Sequence, residues 1–211
     1  MVGVGVAHHI TQRGTDRQKV FYSQRDRRVY LDLLRRFAAE AEVQVLAYCL
    51  MRNHIHLVAI PATVDSLAIW LRRAHGRYAQ YLNARRGRTG HLWQNRYFSC
   101  PLEGTHLWTA LRYVECNPVR ARVVGSAEEF SWSSAAAHVG GRDASGLLDM
   151  GFWRENGGAD FWRQLIDGEE DEQVIQGLRK ATYSGQPWGS AEFQQRWVPQ
   201  SGLSHLQRGT G

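Results

Sequence analysis

With 211 residues, 43% of them hydrophobic and 11% aromatic, the chain can bury the core of one main domain without disulfide or metal staples. No apolar run approaches the roughly 18 residues of a membrane span, Met1–Val6 lacks the charged start of a leader, and Cys49, Cys100 and Cys116 are an odd set without CxxC spacing. A cytoplasmic protein with no membrane partner and no thiolate zinc site is expected, and the net charge of +6 points towards a polyanion.

Val4 to Arg13 reads as a strand carrying His8 and His9, both taken as packed side chains, and Arg13-Gly14-Thr15-Asp16-Arg17 reads as a turn. Ser23 with Asp26 makes a capping box opening a helix to about Ala41, with Val29, Leu33 and Phe37 on its apolar stripe. Val43 to Met51 and His54 to Ile60 form a hairpin that reverses at Arg52-Asn53. Strand side chains alternate between faces, so His54 and His56 share a face and their imidazoles can converge on one ion. The rest of that strand is apolar on both faces, which predicts an internal strand with something packed over it.

Asp65 to Asn83 reads as a second helix, with Leu67, Leu71, Ala74 and Tyr78 inward and Arg73 and Arg77 projecting one turn apart. Between Ser66 and Leu102 stand seven arginines and no acid: Arg72, Arg73, Arg77, Arg85, Arg86, Arg88 and Arg96. Arginine grips phosphate bidentately and stacks on bases. With Trp70, Tyr78, Tyr81, Trp93, Tyr97 and Phe98 interleaved, the run suits a binder of single-stranded or hairpin DNA better than a merely solvated face. The DNA contacts expected are Arg13, Arg17, Arg52, Arg72, Arg73, Arg77, Arg96, Trp93 and Tyr97. His91 to Pro101 is expected to be extended, with His91 a structural histidine.

A third helix from about Gly104 is expected to stop at Asn117, because Pro118 disfavours the α conformation for the residue before it. At about 100° per residue, Tyr113 and Asn117 stack one turn apart, bordering the apolar face of Leu107, Leu111 and Val114 without joining it. Further on, Phe130 to Ala137 suggests a short helix and Gly140 to Gly158 a loop. Glu169 to Ala181 reads as a helix whose acidic first turn complements its dipole, and Ser190 caps a last one to about Trp197. The order predicts an α+β fold, an antiparallel sheet with helices packed on it, with a small helical C-terminal extension. The expected division is a main domain over 1–135, the extension over 136–198 as a candidate further DNA contact, and a disordered tail over 199–211.

Two imidazoles and the Asn117 amide make an incomplete metal shell with positions left for water and phosphate. A divalent ion there polarises a phosphodiester, and a neighbouring tyrosine can attack phosphorus. A free phenol, of pKa about 10, needs such help to act as a nucleophile at neutral pH.

Four blocks then carry a resemblance: His8-His9-Ile10-Thr11-Gln12-Arg13-Gly14, Met51-Arg52-Asn53-His54-Ile55-His56-Leu57-Val58, Gly90-His91-Leu92-Trp93-Gln94-Asn95-Arg96-Tyr97 and Arg112-Tyr113-Val114-Glu115-Cys116-Asn117-Pro118-Val119-Arg120-Ala121. In order and spacing they resemble the REP-associated tyrosine transposases, single-tyrosine members of the HUH nuclease superfamily akin to the transposases of small insertion sequences. The resemblance covers roughly residues 7–135, and Gly185 to Phe193 is similar to a Gly-x-Pro-x-Gly-Ser-x-x-Phe piece near the end of that family. It implies a ferredoxin-like HUH nuclease fold, Tyr113 as nucleophile, His54, His56 and Asn117 as metal ligands, and Mg²⁺ or Mn²⁺ as the ion. The implied reaction is cleavage and strand transfer of single-stranded DNA beside hairpins, such as REP-like elements, through a 5′-phosphotyrosine with a free 3′-OH. No small-molecule cofactor is expected, and the chain is expected to be a monomer or weak homodimer.

One departure is visible: Arg52 stands where members usually have proline, which removes a preset turn and offers a side chain that could reach a phosphate. The competing reading is a hairpin DNA-binding protein on the same fold that does not cut. A sheet-based RNA binder would leave the alignment of histidines, tyrosine and asparagine unexplained.

Overall fold

Strands β1 (His8–Arg13), β2 (Val43–Leu50), β3 (His54–Pro61) and β4 (Phe98–Pro101) pair in the order β2-β3-β1-β4 in the computed structural model, which describes residues 2–197. All pairings are antiparallel, and β1 lies on β3 with Thr11 opposite His56 and Arg13 opposite His54. The internal position expected of β3 is met. Strand alternation then sorts two cores. Ile10, Ile55, Leu57 and Ala59 join α1 (Gln24–Glu40) and α2 (Ser66–Arg86) on one face, while Leu46, Val58 and Cys100 join α3 (Gly104–Glu115) on the other.

The first face is anchored through polar groups as well as apolar ones. Ser23 and Asp26 form the expected capping box, and buried Asp26 also pairs with Arg85 from the last turn of α2. Across the same layer Trp70 Nε1 donates to the Leu34 carbonyl at 2.9 Å, and the Tyr78 hydroxyl donates to the Val20 carbonyl at 2.6 Å. Leu67, Leu71, Ala74 and Tyr78 are fully buried, as the helical pattern predicts.

Several boundaries differ from expectation for local reasons. β1 begins only at His8, because Gly5 turns the chain at a φ of 69°. Residues 91–97 form a loop tied to Gly14 by a bridge at Trp93, leaving β4 only four residues. α3 ends at Glu115, and α4 (Asn117–Arg120) starts at once with Pro118 in its first turn, where the missing N–H removes no helical bond. The proline therefore opens a helix instead of closing one.

Further on come α5 (Ala135–Gly140), α6 (Met150–Glu155) inside the expected loop, and α7 (Gly158–Asp167), which was not expected. α8 (Glu172–Ser184) starts three residues late because Asp171 caps it, accepting from Gln173 N and Val174 N, and Gly185 ends it in the left-handed conformation. Ser190 caps α9 (Ala191–Gln195) as expected, and the tail 199–211 lies outside the described residues.

Both rims of the sheet are occupied by these later segments. Along β2, Leu50 N donates to Trp132 O, Ser134 N to Tyr48 O and Asp149 N to Val45 O. Beyond β4, Trp188 N donates to Pro101 O at 2.9 Å. Among the described residues no helix is long and apolar enough to cross a membrane.

Candidate active site

His54 and His56 point to the α3 side of the sheet, where the helical break at Cys116 leaves Tyr113 and Asn117 beside them. The two imidazoles meet edge to face with centroids 5.1 Å apart. His54 Nδ1 is held by Asn53 Oδ1 at 2.8 Å, and Asn117 lies beside the same ring. His56 is buried, with Nδ1 3.0 Å from Nε2 of His9. Burial, reinforced by Arg13, pushes His54 down to about 4. Burial also carries His56 well below the usual histidine range, with His54, His9, Arg120 and Arg13 adding repulsion. At neutral pH both rings are therefore uncharged, the form in which imidazole ligates a metal.

Tyr113 is buried, contrary to the expectation that it only borders the core. Its ring stands edge-on to His9 and His56, with centroid separations of 5.5 and 5.4 Å. The Arg120 guanidinium lies 4.3 Å over the ring, and Arg179 Nε donates to the hydroxyl at 3.3 Å. Arg120 is itself fixed by Glu170 and by the Tyr113 carbonyl. These two arginines place positive charge around the Tyr113 side chain. Arg179 lies outside the four sequence blocks, so no local signal could have found it.

The orientation of α3 is set from behind by Glu115. Its buried carboxylate accepts from Ser134 Oγ and His138 Nδ1, each at 2.5 Å, and from Trp162 Nε1 at 2.6 Å. One acid thus gathers donors from α5, its flank and α7, and fixes the rotation that turns Tyr113 and Asn117 towards the histidines.

The expected DNA contacts fall in three places. Arg72, Arg96, Trp93 and Tyr97 line one cleft of about 820 Å³ between α2 and the 90–97 loop, on the sheet face opposite Tyr113. Beneath it, Gln12 Oε1 and His75 Nε2 have no hydrogen-bond partner among the described residues. Trp93 is a fixed wall of this cleft, donating to the His75 carbonyl and packing at 4.8 Å on its ring. Arg77 lies beside it on the exposed face of α2, but Arg73 is engaged with Glu40 at 2.5 Å and with the Phe37 ring. Arg13 lies on the His54 side, and Arg17 and Arg52 are exposed near the β2–β3 reversal. The Arg52 carbonyl accepts from Val20 N and Phe21 N, so this reversal is braced without proline.

Two neutral imidazoles and an amide fit a divalent ion. Each ring uses Nδ1 for support, which leaves Nε2 as its remaining ring nitrogen. Such a shell is open, as a catalytic site requires.

A family model described as IS200-like transposase matches residues 4–117, just over half of the chain. Among solved structures, a REP-associated tyrosine transposase bound to a REP hairpin aligns with a TM-score of 0.56 at 16% identity, covering 71% of this chain and 86% of that one; the likeness is one of fold. A candidate transposase from Deinococcus radiodurans R1 aligns with a TM-score of 0.38 at 17% identity, over 56% of this chain and 85% of that one. No curated protein sequence matches.

Proposed function

The chain belongs to the IS200-like transposase family, and from that premise we propose that it cuts and rejoins single-stranded DNA beside hairpins, with Tyr113 as nucleophile. The observation that carries the reading is the meeting of Tyr113, His54, His56 and Asn117 at one end of the sheet. His54, His56 and Asn117 would hold Mg²⁺ or Mn²⁺, which when bound supplies electrophilic polarisation of the phosphodiester.

The Tyr113 hydroxyl loses its proton as its oxygen bonds to phosphorus, and the bond from phosphorus to the 3′ oxygen breaks. That oxygen takes up a proton, leaving a free 3′-OH and a 5′-phosphotyrosine. Attack on this linkage by another 3′-OH reverses the step and joins a new pair of strands. Arg120 and Arg179 would balance the charge that gathers on the tyrosine oxygen and phosphate. Arg72, Arg77 and Arg96 would hold phosphates on the opposite face, with Tyr97 and Trp93 bordering unpaired bases. Gln12 and Arg13, successive residues at the end of β1, look to the two faces, so DNA passing over this end would reach from cleft to tyrosine.

Incubation with labelled hairpin DNA carrying single-stranded flanks and Mn²⁺ should give a covalent adduct on a denaturing gel. Tyr113→Phe should bind the same DNA and give none. Adduct at wild-type level in Tyr113→Phe would remove the nucleophile assignment. Tight binding with no adduct from the wild-type chain would favour the non-cutting hairpin binder.

A further inference from the structure

A histidine ligates a metal only through a nitrogen that carries no proton, so a neutral His56 held by Nδ1 is competent in one tautomer and not in the other. The determinant lies two residues away in a buried chain of hydrogen bonds. His56 Nδ1 is 3.0 Å from His9 Nε2, His9 Nδ1 is 2.8 Å from Thr182 Oγ1, and Thr182 Oγ1 is 2.8 Å from the Leu178 carbonyl. The His9 and His56 ring planes differ by 9° with centroids 5.2 Å apart, so the rings meet edge to edge nearly in one plane and the nitrogen contact is a well-directed hydrogen bond.

The far end of the chain fixes its polarity. A carbonyl oxygen only accepts, so at 2.8 Å the single hydroxyl proton of Thr182 must lie towards Leu178 O; otherwise two oxygen lone pairs would face each other. His9 Nδ1 then donates to Thr182, His9 Nε2 accepts, and His56 Nδ1 is the donor. That leaves Nε2 of His56 unprotonated. The Cys100 thiol, 3.3 Å from the same hydroxyl, can donate into its second lone pair, so this polarity satisfies every hydrogen-bonding position of Thr182.

We propose that Thr182, on α8, is a positioning residue for metal binding: through His9 it selects the His56 tautomer whose Nε2 is free to ligate. This rests on the reading of His56 as a metal ligand. It gives α8 a role that its surface position after the sheet does not suggest, and makes His9, read from sequence as a packing residue, the middle of a relay. Partners of this kind behind a metal-ligating histidine typically change metal affinity by about 10–100-fold.

The test begins with the metal-free wild-type protein, where long-range ¹H–¹⁵N correlation of the imidazoles reports each tautomer directly. His56 is expected protonated at Nδ1 and bare at Nε2. In Thr182→Val, which keeps the shape and removes the acceptor, His9 is released and His56 should shift towards the Nε2-protonated form. Titration with Mn²⁺ alone by calorimetry should then weaken at least about 10-fold. Thr182→Ser keeps the hydroxyl and should restore both the tautomer and the affinity to within about 2-fold, which a merely structural role for the side chain would not require. A wild-type His56 protonated at Nε2 overturns the proposal, and that measurement needs no variant to fold. So does a Thr182→Val protein with unchanged tautomer and unchanged Mn²⁺ affinity. The expected wild-type tautomer without any Mn²⁺ binding would sustain the relay and count against the metal reading alone.

Discussion

His75 illustrates how much a single buried ring can couple the fold to solution conditions. It lies under the cleft between Tyr30 and Trp93, and burial pushes it down to about 3 from 6.5. The unfolded chain therefore takes up a proton below about pH 6.5 that the folded chain refuses. Stability from this group is complete above that pH and is lost as pH falls from 6.5 towards 3, by up to about 1.4 kcal/mol per unit. Asp26, also depressed, acts in the same direction but only below its lower carboxylate range. Urea denaturation at pH 7.5 and 4.5 should thus show a loss for the wild type that is smaller in His75→Gln; equal losses would mean that the ring is protonated in the fold. At this scale the sequence was informative where chemistry and period coincide, as in His54 and His56. It was silent on His9, because a histidine next to another histidine in an apolar strand looks the same whether it packs or relays a hydrogen bond.

The helices divide by whether their signals are local. α1 could be read from Ser23 and Asp26, and α2 from a clean apolar period, since capping and amphipathicity are written within a few residues. α7 carries a local signal too, since Phe161, Trp162, Leu165 and Ile166 recur at helical spacing on one face, but the glycine-rich stretch that runs into it, ending at Gly157-Gly158, masks where it starts. Trp162 is nevertheless fully buried and donates to Glu115. Trp162→Phe keeps most of the ring and leaves that buried carboxylate one donor short, so we expect a loss of about 1–3 kcal/mol in urea denaturation. An unchanged midpoint would mean that Ser134 and His138 suffice to satisfy the acid. The break at Cys116 was likewise hidden: proline can end one helix or begin the next, and the choice is made by contacts distant in the chain.

For the molecule as a whole, charge on the α2 face should govern how binding responds to salt. Single-stranded contacts each contribute about 0.7 to the slope of log K against log salt, so replacing Arg72, Arg77 and Arg96 together by alanine should flatten it by about 2. Adding Arg73→Ala should change little more, because that side chain is already held by Glu40. A full slope in the triple variant would move the DNA surface elsewhere. The closure of the sheet has a different kind of consequence. Exposed strand edges are templates on which other chains can grow a sheet, and here Trp132, Ser134 and Asp149 seal one rim while Trp188 seals the other. The residues after about 130 therefore act as selvedges, and a shortened chain that kept Tyr113, His54, His56 and Asn117 would bare two sticky seams and tend towards fibrous self-association in place of clean monomers.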